Sequence, residues 1–332
     1  MRERSSRLSP AGIGHTMDPI HLSNAIKHEA WRLGFDPVGI TGPEPPESAP
    51  QFLDWIRKGY HGEMLYLEQR AQQRLDLRSV FPPVRSVIVV GMNYAPDPTT
   101  APAGKGRVSC YAWGKDYHIV MRSRMKHLLA RVREQTGVSF AARICVDTAP
   151  VLERDLARRA GLGWIGKNTC LVNRNLGTWL FLGVIPTNLD LPPDTPQKDR
   201  CGTCRKCLDA CPTGALIAPR ILDARKCISA LTIECRTSIP TELKPSIGNH
   251  LFGCDECLSV CPWNRFSRPT REPSFQPINR DILFDPPFFL NVGESEFRKR
   301  FQNTPPARTG RAALARNAAI VLDNLRKKES TA

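Results

Sequence analysis

Cys201-Gly202-Thr203-Cys204-Arg205-Lys206-Cys207-Leu208-Asp209-Ala210-Cys211-Pro212, followed by Cys254-Asp255-Glu256-Cys257-Leu258-Ser259-Val260-Cys261-Pro262, decides how this chain is read. The first stretch has the spacing C-x2-C-x2-C-x3-C-P, and the second repeats its last three cysteines and the proline. This is the spacing of paired 4Fe–4S clusters, in which three thiolates of a run hold one cubane and the fourth reaches the other. The crossing rule places Cys261 with Cys201, Cys204 and Cys207, and Cys211 with Cys254 and Cys257. Leu251 occupies the first position of the second run, so an eighth thiolate must come from elsewhere. Cys227 and Cys235 are the candidates.

Zinc and disulfides are the competing uses of cysteine. Zinc sites show two CxxC pairs or Cys/His mixtures rather than runs ending twice in Cys-Pro. Twelve cysteines, nine of them between Cys201 and Cys261, point to a reducing compartment, hence the cytoplasm. Arg2, Arg4 and Arg7 precede no apolar stretch of the kind a secretory signal needs. The segment Trp179 to Ile185 is too short to span a bilayer and reads as a buried strand, so no membrane association is expected. Residues 1–17 read as a disordered extension, or as an upstream misreading with Met17 as the start. The chain has 332 residues and a net charge of +15, or about +11 once two clusters with their thiolates are counted. That excess points to a polyanionic partner without choosing between tRNA and DNA.

The first two-thirds alternate between helices and strands. Helices are expected at Leu22–Leu33, Phe52–Leu67, Asp116–Gln135 and Val151–Ala160. Strands are expected at Pro37–Ile40, Phe140–Val146, Thr169–Val172 and Trp179–Ile185, with the apolar run Val84–Val90 as a central strand. A loop covers Tyr94–Arg107. Leu191–Pro196 reads as a linker. After Pro262 a Pro-rich segment runs to Pro306, followed by one helix, Ala312–Leu325.

No GxGxxG turn supports a Rossmann nicotinamide site. Three other segments stand out: Cys110-Tyr111-Ala112-Trp113-Gly114-Lys115-Asp116-Tyr117-His118, Asp147-Thr148-Ala149-Pro150-Val151-Leu152-Glu153-Arg154, and Gly161-Leu162-Gly163-Trp164-Ile165-Gly166-Lys167-Asn168. With the cysteine spacing and Cys227-Ile228-Ser229-Ala230-Leu231-Thr232-Ile233-Glu234, the chain resembles the epoxyqueuosine reductases from about residue 20 to 325. The resemblance implies an α+β protein: a nitroreductase-like α/β cobalamin domain (18–190), a bacterial two-4Fe–4S ferredoxin-like domain (191–268) and a Pro-rich and helical C-terminal segment (269–332). It implies reduction of epoxyqueuosine to queuosine at the wobble position of tRNA, with electrons from an external low-potential donor, by a protein that needs to be no more than a monomer.

Residue by residue, the resemblance makes Asp147 the proton donor, whereas from the sequence alone it reads as a helix N-cap before Pro150. Burial beside the corrin is expected to raise its pKa. Asp116, Glu153 and Asp155 are alternative acids. The resemblance also places Cys110 near the cobalt, sets Arg70, Tyr111, Lys167 and Asn168 along the cofactor or its entrance, and selects Cys227 as the eighth ligand. The clusters are then Cys201, Cys204, Cys207, Cys261 and Cys211, Cys227, Cys254, Cys257. Cys145 and Cys170 read as core. Asp116-x-His118 is similar to the cobalt-ligating D-x-H-x-x-G of methyltransferase-type cobalamin proteins, but Met121 replaces the glycine, and base-off cobalamin without histidine ligation is expected. Arg122, Arg124, Lys126, Arg131 and Arg133 form one candidate phosphate-binding face, and Arg225, Lys226, Arg236, Arg308, Arg311 and Arg316 offer others. A reductive dehalogenase-like enzyme acting on a small molecule and a plain electron carrier are the rival readings. The first would need an export signal, and the second leaves the α/β part without a task.

Overall fold

The structure, a computed structural model, describes residues 18–97 and 106–330. The expected extension at residues 1–17 and the middle of the loop Tyr94–Arg107 lie outside them. The centre of the α/β part is a three-stranded antiparallel sheet of Val38–Thr41, Ser86–Asn93 and Leu180–Thr187, with Ser86–Asn93 in the middle. The middle strand is apolar on both sides because both faces are covered. Ile88, Val90 and Met92 pack toward the helices Pro19–Arg32 and Tyr117–Thr136. Val87 and Val89 pack toward the helix Glu153–Arg159.

Two expectations needed correction. The helix expected over Phe52–Leu67 is Ala49–Arg57 followed by a separate short helix, Leu65–Gln69. Gly59 and Gly62 lie between them at φ +64 and +58, a conformation that ends a right-handed helix. The stretch Phe140–Val146 runs beside Leu180–Thr187 but makes only isolated bridges at Ala142 and Cys145. Opposite it, Pro186 accepts from the Arg143 N–H but has no N–H to return, so the ladder is interrupted there.

The segment after Pro262 is less extended than its prolines suggest. It contains the helices Pro286–Asn291, Glu294–Phe301 and Pro305–Thr309, two of which use proline in their first turn. Phe289, Phe297 and Phe301 bury against Leu314 and Val321 of the terminal helix Arg311–Glu329, and against Val108, Leu251 and Phe252. Arg107–Val108 pairs in parallel with His250–Phe252. This pairing ties the loop that carries Cys110 to the strand leading into Cys254. Leu191–Pro196 has no regular structure but is anchored: Asp194 accepts from the Ile40 N–H (2.8 Å) and from Lys27 Nζ (2.6 Å). No helix among the described residues is long and apolar enough to cross a membrane.

Candidate active site

A cavity of about 1620 Å³ opens where the sheet, the loop around Asp147, the turn at Arg70 and the C-terminal segment meet. That is larger than the 300–1,000 Å³ of an ordinary small-molecule site. Its inner wall is aromatic. Phe181 stacks between Tyr94 and Tyr117, with ring centroids 4.3 Å away on each side. Tyr117 leans on His118 at 4.1 Å, and Tyr111 packs edge-on to Tyr117.

His118 is the polar centre. It is 6% exposed, its Nδ1 lies 2.6 Å from Asp116 Oδ1, and its Nε2 lies 3.2 Å from Asp147 Oδ2. Asp116 also caps the helix Tyr117–Thr136 by accepting the His118 N–H, which fixes the ring over the cavity. Arg308, from the C-terminal segment, brings Nη1 to 2.9 and 2.8 Å from the two ring nitrogens. Both nitrogens are therefore engaged within the protein, the satisfied histidine that the sequence favours.

Asp147 is no helix N-cap. The helix Glu153–Arg159 begins after Leu152 without a side-chain cap. Asp147 instead holds φ +56, a left-handed conformation that aspartate tolerates and that concentrates at functional sites. Its N–H is fixed by Glu153 Oε1 at 2.5 Å, and its carboxyl turns into the cavity toward His118. Its side chain is 53% exposed because it faces that open space. The expected rise in pKa does not occur. Burial pushes upward, but the hydrogen bond from His118 and the charges of His118, Arg308 and Arg154 outweigh it, and the carboxyl lies below its ordinary value. The proton is displaced onto its neighbours. His118 is pulled down by burial but raised overall by Asp116 and Asp147. Glu153, enclosed and beside the Asp147 charge, is pushed up to about 8. Asp147 thus touches the cavity, while His118 and Glu153 both hold their protons more tightly than usual.

The thiols form two groups. Cys201, Cys204, Cys207 and Cys261 line one small cavity, together with Lys167, Asn168 and Trp263. Cys211, Cys227, Cys254 and Cys257 act on one another electrostatically, with Cys170 beside them. Cys227 also opens onto the large cavity. Cys235 is apart from both groups, buried and bonded to Glu63 and Thr237. None of the twelve cysteines is in a disulfide. Burial pushes the Cys254 thiol up to about 12, so a metal must displace its proton. Among the described residues no three His, Cys, Asp or Glu side chains are arranged around a single metal ion. The corners of a cubane stand further apart than the donors of one ion.

Arg70 and Tyr111 line the large cavity together with Asp147. Cys110 lies behind its wall, packed with Cys170, Cys257 and Trp179. Lys167 and Asn168 stand on the cluster side: Lys167 Nζ donates to Gly202 O (2.6 Å) and Cys204 O (2.9 Å), and Asn168 Nδ2 to Cys257 O (3.2 Å). Nothing in the sequence singles out Asp255. It is 8% exposed between two cluster-loop cysteines and accepts from Ser109 Oγ and, at 2.7 Å, from the Cys110 N–H. Gly253 makes that approach possible, since at φ +69 an added Cβ would stand 2.5 Å from Ser109 Cβ. Arg308, expected among the phosphate contacts, lies against the His118 ring instead.

Most of the expected basic face is committed internally. Arg122 donates to Thr148, Arg124 to Leu33 O and Glu272, and Arg131 to Glu134. Arg133 donates to Phe140 O and lies over the Phe140 ring. Arg316 donates to Leu231 O, Cys235 O and Thr237 O. Arg225 is paired with Asp223, while Lys126 remains exposed.

Comparison with known proteins decides the family. Epoxyqueuosine reductases of Xanthomonas campestris and Pseudomonas aeruginosa are each 42% identical over 313 residues, covering 92% of this chain and 88% and 86% of theirs. The Escherichia coli epoxyqueuosine reductase is 41% identical over 319 residues, covering 94% of this chain and 83% of its own. The chain belongs to the epoxyqueuosine reductase family.

Further matches agree with this assignment. Residues 74–148 match the family described as epoxyqueuosine reductase QueG, DUF1730, and residues 200–264 match the 4Fe-4S double cluster binding domain. A solved epoxyqueuosine reductase with a tRNA-Tyr epoxyqueuosine-modified stem loop is 30% identical, with a TM-score of 0.85 over 92% of this chain and 81% of its own. A Bacillus subtilis epoxyqueuosine reductase, described with its catalytic Asp loop swung out of the active site, is 29% identical, with a TM-score of 0.83 over 92% of this chain and 82% of its own. The α+β fold and the oxidoreductase class follow from the family. So do the iron–sulfur clusters.

The cavity also fits a corrin. Trp164 Nε1 on its wall is buried without a hydrogen-bond partner, and Asp155 Oδ2 has only the Arg159 guanidinium, 3.8 Å away, as an ion-pair partner. An N–H donor left open suits the amide-bearing rim of a corrin, whose apolar body suits the aromatic wall.

Proposed function

We propose that this chain reduces epoxyqueuosine to queuosine at the wobble position of tRNA, with cobalamin in the large cavity, and that Asp147 delivers the proton. The observation that carries this reading is the meeting, on one cavity wall, of the Asp147–His118 pair and Cys227 of the second thiol group. When bound, cobalamin supplies the reducing chemistry at carbon, and the two 4Fe–4S clusters supply its electrons from an external low-potential donor.

The chain's own residues do the rest. Asp147 Oδ2 passes a proton, drawn from His118 Nε2, to the epoxide oxygen as the ring opens; two electrons from the external donor and a second proton then let that oxygen leave as water. Asp116 holds His118 in place and favours its protonated form. Glu153 fixes the Asp147 backbone and keeps a second proton beside it. Tyr94, Tyr117 and Phe181 form a dry wall that strengthens these interactions. Lys167 and Asn168 brace the loops of Cys204 and Cys257, and Asp255 locks the second cluster loop to Cys110. Residues 18–190 form the cofactor domain and 191–268 the cluster domain. The C-terminal segment completes the site through Arg308. With its ring nitrogens held by Asp116 and Asp147, His118 would have no free nitrogen to offer a bound cobalt. The tRNA must splay its wobble base into the cavity, since a stacked base is out of reach.

The test is anaerobic incubation of reconstituted protein with cobalamin, reductant and tRNA bearing epoxyqueuosine, followed by mass spectrometry of the digested nucleosides. Queuosine is expected. Its absence at full cofactor loading, or its formation without cobalamin, defeats the proposal.

A further inference from the structure

Arg74 lies near the end of the short helix Ala71–Leu75, 6% exposed and on the wall of the large cavity. Its Nη1 is buried without a hydrogen-bond partner. Among the groups around it the Tyr66 phenol acts most strongly, Arg70 beside it adds a repulsive charge, and the carboxylates of Asp147 and Glu153 act on it only through longer-range charge. This fold satisfies a buried guanidinium where the role is structural. Arg159, also 6% exposed, donates to Gly42 O (2.6 Å), Glu44 O (2.7 Å) and the Glu44 carboxylate (2.9 Å). A guanidinium carries five donors, and leaving it buried and unpaired is destabilising. Two arginines facing one cavity with no carboxylate between them call for an anion with several oxygens.

We propose that Arg74, with Arg70 beside it, is an anion subsite of the cavity that takes a phosphodiester. The inference rests on the proposed function, which brings two phosphodiesters to this place: the tRNA backbone flanking the splayed nucleoside and the nucleotide tail of cobalamin. Both present paired anionic oxygens that match the guanidinium fork. The subsite holds its ligand within reach of Asp147, so it fixes where the reacting group stands.

Arg74→Gln and Arg74→Met are compared with wild type in three measurements. These are hydroxocobalamin affinity by absorbance, affinity for a labelled epoxyqueuosine stem-loop across a salt series, and thermal melting without ligand. A charged hydrogen bond is worth about 1.5–3 kcal/mol, so one of the two ligands is expected to bind about ten- to a hundredfold more weakly. If the tRNA backbone is the source, the stem-loop weakens, its log–log salt slope falls by about 1, and hydroxocobalamin is unaffected. If the cofactor tail is the source, hydroxocobalamin weakens, the salt slope stays, and tail-free cobinamide binds both proteins equally. Arg74→Met should melt no lower than wild type, because it removes an unpaired buried charge. Unchanged affinity for both ligands overturns the subsite, and so does a lower melting temperature of Arg74→Met, which would make the guanidinium part of the fold. Wild-type binding of both ligands checks the functional reading separately from the difference between wild type and variant.

Discussion

Replacing His118 by Asn removes the group that sets the proton inventory of the site. In the folded chain Asp147 lies below its ordinary pKa although burial, the largest influence on it, pushes the other way; the His118 hydrogen bond and charge supply the reversal. Without them, burial is opposed only by Arg308 and Arg154, and the carboxyl rises. The hydrogen bond that is lost spans 3.2 Å, and the Asp147 side chain is 53% exposed, so the lower end of the range for a charge-assisted bond applies, about 1.5 kcal/mol. That corresponds to a roughly tenfold slower proton delivery near neutrality. The pH profile should also change. In wild type the rate falls as pH rises past the elevated pKa of His118, above its ordinary 6.5. In His118→Asn the fall comes at lower pH, because a carboxylic acid now holds the proton. The assay is single-turnover conversion of an epoxyqueuosine stem-loop, quantified by mass spectrometry across a pH series, with the cobalamin spectrum as a control for loading. An unchanged rate with an unchanged alkaline limb would refute the relay.

Asp147→Asn should lower turnover by about 10²–10⁴, the usual contribution of a general acid, with cobalamin still visible by absorbance; near-normal turnover removes Asp147 as donor. Glu153→Gln should stabilise the protein increasingly as pH rises. The folded chain holds the Glu153 proton up to about 8 while the unfolded chain releases it near 4.5, so wild type loses stability through that window. Melting temperatures of the two proteins should converge at acid pH and separate at alkaline pH, and a constant difference contradicts the assignment. Cys227→Ser should lower the iron content of reconstituted protein toward that of one cluster, whereas Cys235→Ser should leave it intact; the reverse result would move the eighth ligand to Cys235.

Periodicity located most elements, because each buries an apolar face in a core: the strand Ser86–Asn93 and the helices Pro19–Arg32, Tyr117–Thr136 and Arg311–Glu329 all lie where the pattern puts them. The exceptions have local causes, the left-handed glycines at 59 and 62 and the missing N–H of Pro186. Cysteine spacing grouped Cys261 with the first run because chain geometry restricts which thiols can share a cubane. The state of Asp147 was not legible, since it depends on His118, Arg308 and Glu153, which converge only in three dimensions. For the same reason Arg124 and Arg316 read as candidate phosphate contacts, whereas in the fold they hold backbone carbonyls. Asp255 hides inside the cysteine motif, where the cysteines draw all the attention.

Cofactor stoichiometry, measured as iron and cobalamin bound per chain after anaerobic reconstitution, tests the proposed electron path most directly. Two cubanes and one corrin should load together, about eight irons and one cobalamin per chain. Protein that saturates near four irons, or whose cavity stays empty of cobalamin at saturating concentration, would contradict it.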